Sequence, residues 1–199
     1  MPVSHEGHWG WTTAQLAGWA SHFIRRALPD VILLLIGTND LIYSERDVGL
    51  RCQKALDQID KIVNVAVHIR PGVLVLIGTL PLCHRRPYQP DGLAKSEIMC
   101  PFPHSILAFN SALRKHVSDS RHHVTSDVQH HDAQNESIAL CDVAHGFDAR
   151  TMTWDGVHPN LLGARHLAQS WALCLNHRRA ALTKVDNQLT VRGIDTAPA

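Results

Sequence analysis

Three short apolar runs alternate with longer stretches in which apolar residues recur every three or four positions. Val31-Ile32-Leu33-Leu34-Leu35-Ile36 is continuous and closed by Gly37; Val73-Leu74-Val75-Leu76-Ile77 and Ile138-Ala139-Leu140-Cys141-Asp142-Val143 are the other two. Runs this short, without apolar/polar alternation, predict strands buried on both faces. Between them, Leu16, Ala20, Phe23, Ile24 and Ala27 predict a helix capped by Thr12 or Thr13 and stopped at Pro29-Asp30. Cys52, Ala55, Leu56, Ile59, Ile62, Val63 and Ala66 predict a helix from Arg46 to about His68, ended by Pro71-Gly72. A third is predicted over about 102–117 (Ile106, Leu107, Phe109 or Asn110, Leu113), and a last one over about 160–177. Its inner stripe is Leu162, His166, Leu167, Ser170, Trp171 and Cys174.

Strands that alternate with helices predict an α/β fold, with a parallel sheet covered on both faces. No internal repeat is visible. Pro81 to Pro103 reads as a long loop at the end of the second strand, placed to cover a site there. Residues 119–137 are polar and His-rich, and the chain from Thr183 to Ala199 loses its apolar pattern and reads as a loose tail. The expectation is one domain over 1–182 followed by that tail.

Composition narrows the function classes. The 199 residues carry a formal charge of +1, which argues against nucleic acid as a partner. With 45% apolar residues the chain is not globally disordered, and no apolar run is long enough to span a membrane. The first eight residues contain no apolar segment of the kind that begins a signal peptide. The five cysteines form no C-x-x-C pair. Cys52, Cys141 and Cys174 read as buried thiols, while Cys83 and Cys100 flank the Pro-rich loop and leave a disulfide between them open. His122-His123 and His130-His131-Asp132 have no helical H-x-x-x-H or cysteine partner, so they read as a solvated loop rather than a metal site.

In an open parallel sheet, ligands bind beyond the carboxyl ends of the strands. The first strand delivers Gly37-Thr38-Asn39-Asp40 to that edge. The amide of Asn39 is a neutral donor suited to a developing oxyanion; the alternative is a turn closed by Asn and Asp side chains. Asp155-Gly156-Val157-His158-Pro159-Asn160 precedes the last helix. There Asp155 can hold the Nδ1 of His158 and leave Nε2 as a base; the alternative is an Asp-Gly turn with a surface histidine. Pro159 and Asn160 suit the helix start. Glu6-Gly7-His8-Trp9-Gly10-Trp11 can offer a backbone N–H from Gly10, or can be a loop anchored by its tryptophans. Trp154 beside the Asp155 turn packs either against that site or into the core.

Taken together, these blocks resemble the SGNH (GDSL-type) ester hydrolases. HEGHWGWTTAQL is similar to the block with that family's glycine, PDVILLLIGTND to the block with its asparagine, and WDGVHPNLLGARHLAQSW to the block with its D-x-x-H pair. Phe109-Asn110-Ser111-Ala112-Leu113 and Leu140-Cys141-Asp142-Val143 also resemble family segments. The resemblance runs from about His5 to Leu175. It implies a flavodoxin-like three-layer α/β/α fold and hydrolysis of acyl or carbohydrate esters without metal or organic cofactor. The substrates it implies are acetylated polysaccharides, lipids or small esters. By the same resemblance Gly10 and Asn39 are oxyanion donors, His158 the base and Asp155 its orienting partner.

One block departs from the pattern. The family opens with a strand followed by Gly-Asp-Ser, whose serine is the nucleophile, and no Gly-Asp-Ser occurs here. Ser4 is the only serine ahead of the glycine block, and Ser118-Asp119-Ser120 sits at a helix end. The resemblance therefore predicts a chain that lacks the family's first strand and helix. The edge of the strand beginning at Val31 is then expected to be unpaired. Esterase activity is expected to be impaired or absent, with a non-catalytic module binding acylated sugars or lipids as the alternative. A leader peptide would have preceded the lacking segment, so the compartment stays open, secretion included, as does the oligomeric state.

Overall fold

The computed structural model describes residues 4–42, 47–84, 103–122 and 137–192. Helix α1 (Thr13–Ala27) leads into strand β1 (Val31–Leu34), and a single 3-10 turn (Asn39–Leu41) follows. Helix α2 (Val48–Ile69), strand β2 (Leu74–Gly78), helix α3 (Pro103–His122) and strand β3 (Ile138–Cys141) come next. A one-turn helix α4 (Ala149–Met152) and the long α5 (Leu161–Arg192) complete the described elements. The strands form a parallel sheet in the order β1-β2-β3, with Val31 opposite Leu74 and Val75 opposite Ile138. This is the α/β arrangement predicted from the alternation of runs.

The apolar spacing explains the layers. The buried face of α2, from Cys52 through Ala66, packs with Ile24 of α1 and with Phe109 and Leu113 of α3 over Val75 and Ile77. The opposite face carries Leu74, Leu76, Ala139 and Cys141, and α5 covers it with Leu167, Trp171 and Cys174. Three layers result. The α5 layer lies over β2 and β3, so Leu33 of β1, which shares that face, is 48% exposed.

Helix α1 starts with a full capping box: the Thr12 hydroxyl accepts from the Gln15 N–H, and the Gln15 side chain accepts from the Thr12 N–H. Several readings differ from the outcome. Strand β1 ends at Leu34, because Leu35 and Ile36 find no ladder partner. The buried-thiol reading of Cys141 and Cys174 is corrected. The two form a disulfide with Cα atoms 5.8 Å apart, joining the end of β3 to α5. Sequence spacing carries no such information, because strand and helix meet only in the folded layers. Helix α4 was not foreseen; it is one turn long and is capped by Asp148, whose carboxylate accepts from the Arg150 N–H. The backbone of α5 is helical through Arg192, across the start of the segment read as a tail. Cys100, most of the Pro-rich loop, and the histidines at 123, 130 and 131 lie outside the described residues.

Candidate active site

Every predicted site residue sits on a segment leaving the carboxyl end of a strand or on the loop that meets one. Gly37, with φ +126°, turns the chain off the end of the β1 segment, and a Cβ there would lie 3.0 Å from the Phe109 ring. Asp40 then receives the N–H (2.9 Å) and the hydroxyl (2.6 Å) of Thr13 on its carboxylate. This pins the turn to the start of α1. Asn39 donates its amide to the Trp11 carbonyl at 2.8 Å, which brings it against the loop that carries Gly10. An amide nitrogen holds two hydrogens; the second makes no hydrogen bond among the described residues. Gly10 itself has φ +74°, and nothing lies within 4 Å of where its Cβ would be. Its loop is anchored by the His8 ring, stacked on Trp11 with centroids 3.9 Å apart.

The Asp155–His158 turn is built independently. Asp155 Oδ1 accepts from the N–H groups of Val157 (2.9 Å) and His158 (2.8 Å), and Oδ2 lies 2.7 Å from His158 Nδ1. Burial raises the pKa of the Asp155 carboxyl. The donations from the His158 N–H, the His158 ring and the Val157 N–H outweigh this and leave it below its ordinary value. An ionised acceptor on Nδ1 makes that nitrogen the donor, so Nε2 keeps its lone pair and can accept a proton. Among the described residues nothing is hydrogen-bonded to His158 Nε2.

The turn is closed by an antiparallel bridge between Thr153 and Pro159 and by the Trp154 N–H donating to the His158 carbonyl at 2.9 Å. It is tied to the segment after β2 by the His84 N–H, which donates to the Gly156 carbonyl at 2.8 Å. Gly156 is required twice over. Its φ is +96°, and a Cβ would fall 1.8 Å from the His84 oxygen. Asn160 caps α5 by accepting from the Leu162 and Gly163 N–H groups. Pro159 lies outside the helix, in the bridge.

The structure thus gathers Gly10 with Asn39, and Asp155 with His158, at one edge of the sheet. It also shows supporting residues that spacing alone did not single out. The Thr79 hydroxyl, just past β2, donates to Asp142, just past β3, at 2.7 Å, and Arg114 of α3 pairs with the same carboxylate at 2.9 Å. Burial raises the Asp142 pKa, but the Thr79 and Arg114 bonds and the nearby positive charge hold it below its ordinary value. Buried Asn110 donates to the Leu80 carbonyl and accepts from the Leu80 N–H, both at 2.8 Å. These contacts hold the ends of β2 and β3 in place, and only a fold that brings α3 over those ends reveals them.

A parallel three-layer α/β domain with this pair of constellations at its carboxyl edge is of the ester-hydrolase kind. The chain belongs to the GDSL-like lipase/acylhydrolase family, whose model matches residues 14–171, a span that includes Asn39, Asp155 and His158. Among solved structures it is similar to a carbohydrate esterase family 3 protein from Talaromyces cellulolyticus (20% identity, TM-score 0.61), covering 87% of this chain and 70% of that one. An acetyl esterase variant with an acetate ion is similar at 19% identity and TM-score 0.61, covering 89% and 72%. A family 3 carbohydrate esterase from Clostridium thermocellum matches at 23% identity and TM-score 0.57, covering 89% and 71%. Identities this low establish the shared SGNH fold. No curated protein matches the sequence.

Proposed function

We propose that this chain carries the proton-accepting and oxyanion-binding parts of an ester-hydrolase site within a domain spanning 1–182. His158 is the base, Asp155 fixes its ring, and Asn39 and the Gly10 N–H receive the oxyanion. The observation that carries the reading is the 2.7 Å contact from Asp155 to His158 Nδ1, made by a carboxylate already held by two backbone N–H groups. Acyl transfer of this kind needs no metal or organic cofactor.

The 199 residues contain no Gly-Asp-Ser. Among the described residues no serine hydroxyl is hydrogen-bonded to His158. We therefore expect this chain, as it stands, to hydrolyse esters weakly, by direct attack of water. His158 Nε2 takes the proton from water as its oxygen adds to the carbonyl. Asn39 and Gly10 hold the resulting oxyanion. Collapse breaks the bond to the alcohol oxygen, which leaves with the proton from His158. Oxyanion stabilisation and binding without a serine nucleophile are worth roughly 10³–10⁴-fold over the uncatalysed reaction. The second reading, a module that binds acylated sugars or lipids without cleaving them, is favoured by the same lack of a serine partner.

Hydrolysis of p-nitrophenyl acetate by the chain, by His158→Ala and by Ser4→Ala tests both readings. Slow turnover abolished by His158→Ala and unaffected by Ser4→Ala supports the weak hydrolase. Turnover near 10 s⁻¹, the order of an ordinary enzyme, refutes the impairment, and its loss in Ser4→Ala would name Ser4 as nucleophile. Turnover that survives His158→Ala refutes the site. Ester binding with no turnover above background favours the module.

A further inference from the structure

Gly10 is presented by a turn that runs from His8 to Trp11, and it is the third residue of that turn, where a positive φ favours glycine. The backbone holds this turn only weakly. Its closing bond, from the Trp11 N–H to the His8 carbonyl, is 3.4 Å long, beyond the usual range. Nothing lies within 4 Å of where a Gly10 Cβ would be. Side chains brace the two ends instead. The His8 ring lies on the Trp11 ring, with centroids 3.9 Å apart and planes 15° from parallel. The same His8 ring stacks on Phe23 of α1, at 5.1 Å and 23°.

The ring also carries a polar atom into this packing. His8 Nε2 is buried and makes no hydrogen bond among the described residues, but it faces Glu6 Oε2 at 3.5 Å. The other oxygen of Glu6 pairs with Arg26, in the last turn of α1. A carboxylate only accepts, so Nε2 turned toward it serves as the donor. The stack sets the plane of the ring, and Glu6 sets its rotation within that plane. Phe23 and Arg26 tie both to α1. The effect reaches the site through the Trp11 carbonyl, at the far end of the turn, which accepts the Asn39 amide at 2.8 Å. We propose that His8 is a positioning residue. It joins the two ends of the turn, anchors them on α1 through Glu6, and so sets the Gly10 N–H and the Asn39 amide for the oxyanion. This inference rests on the ester site proposed above.

The test follows the solvent-exchange rate of the Asn39 side-chain amide by NMR, a readout that needs no turnover. The variants are His8→Ala, His8→Phe and Glu6→Gln. His22→Ala is the control on α1, since its ring meets Trp19 and Phe23. Hydrogen–deuterium exchange of the α2 backbone amides reports on the fold. His8→Ala should speed Asn39 exchange about tenfold, the scale of losing one hydrogen bond to a charged group. Glu6→Gln should speed it less. His8→Phe restores the stack without the nitrogen and should recover part of the loss. His22→Ala should leave Asn39 exchange unchanged, and no variant should alter the α2 amides. Should His8→Ala fail to fold, His8→Phe and Glu6→Gln decide. Unchanged Asn39 exchange in His8→Ala or Glu6→Gln, full recovery in His8→Phe, or an equal rise in the α2 amides overturns the proposal. Ester turnover by His158→Ala is measured separately, so the hydrolase site can fail while the grip of His8 stands, and the reverse.

Discussion

The Cys141–Cys174 disulfide allows a quantitative prediction. It closes a loop of 33 residues between the end of β3 and the middle of α5. Removing the crosslink returns loop-closure entropy to the unfolded chain. For a loop of this length the chain-entropy relation gives about 12.5 cal/mol/K, or about 3.7 kcal/mol at 25 °C. In a domain of this size each kcal/mol moves Tm by about 2–4 °C, so reduction should lower Tm by about 7–15 °C. Protein purified under oxidising conditions is melted with and without dithiothreitol, alongside Cys141→Ala/Cys174→Ala. The double variant should melt low and show no further response to reductant. A reductant-induced shift below about 2 °C refutes the reasoning, as does an equal shift in the double variant.

Gly156→Ala should cost about 2–3 kcal/mol in urea unfolding and abolish His158-dependent turnover, because the new Cβ meets the His84 carbonyl at 1.8 Å and φ is +96°. Asn110→Leu keeps the branched heavy-atom skeleton but strands the Leu80 N–H and carbonyl, at about 2–4 kcal/mol in the same assay; a cost under 1 kcal/mol contradicts the clamp. Asp155 has a depressed folded pKa. Its contribution to stability is therefore full above the ordinary carboxylate value of 3.8 and is lost as pH falls through the lowered value. The difference in Tm between the chain and Asp155→Asn should shrink below that pH, and a constant difference down to pH 2 contradicts the assignment.

Much of this architecture was legible along the chain because burial on both faces imposes unbroken apolar runs, and burial on one helix face imposes a three-to-four spacing. The limits of β1 and β3 fall inside the runs, β2 passes its run by one residue at Gly78, and the α2 stripe read from Cys52 to Ala66 is the buried stripe observed. The Asp155–His158 contact was legible because its parts are three residues apart, and a local turn suffices to join them. The grip of Asn39 on the Trp11 carbonyl was not, since 28 residues separate them. Nor was the role of Asn110, which the periodicity treats as interchangeable with Phe109 on the helix face. Phe109 packs into the core, and Asn110 reaches the backbone after β2.

By itself, then, the sequence determined what local spacing can encode: three strands, the helices between them, their order, and one self-contained Asp–His turn. The tertiary structure decided whatever depends on which layers meet. The covalent joining of Cys141 to Cys174 is one such outcome, because it requires α5 to lie across β3. The clamping of the β2 and β3 ends by Asn110, Thr79, Asp142 and Arg114 is another. The exposure of Leu33 is a third, because a residue's neighbours on the far side of a sheet are set by the cover of that sheet. The exposure of Trp154 is a fourth, because the sequence leaves that ring between packing on the Asp155 turn and entering the core.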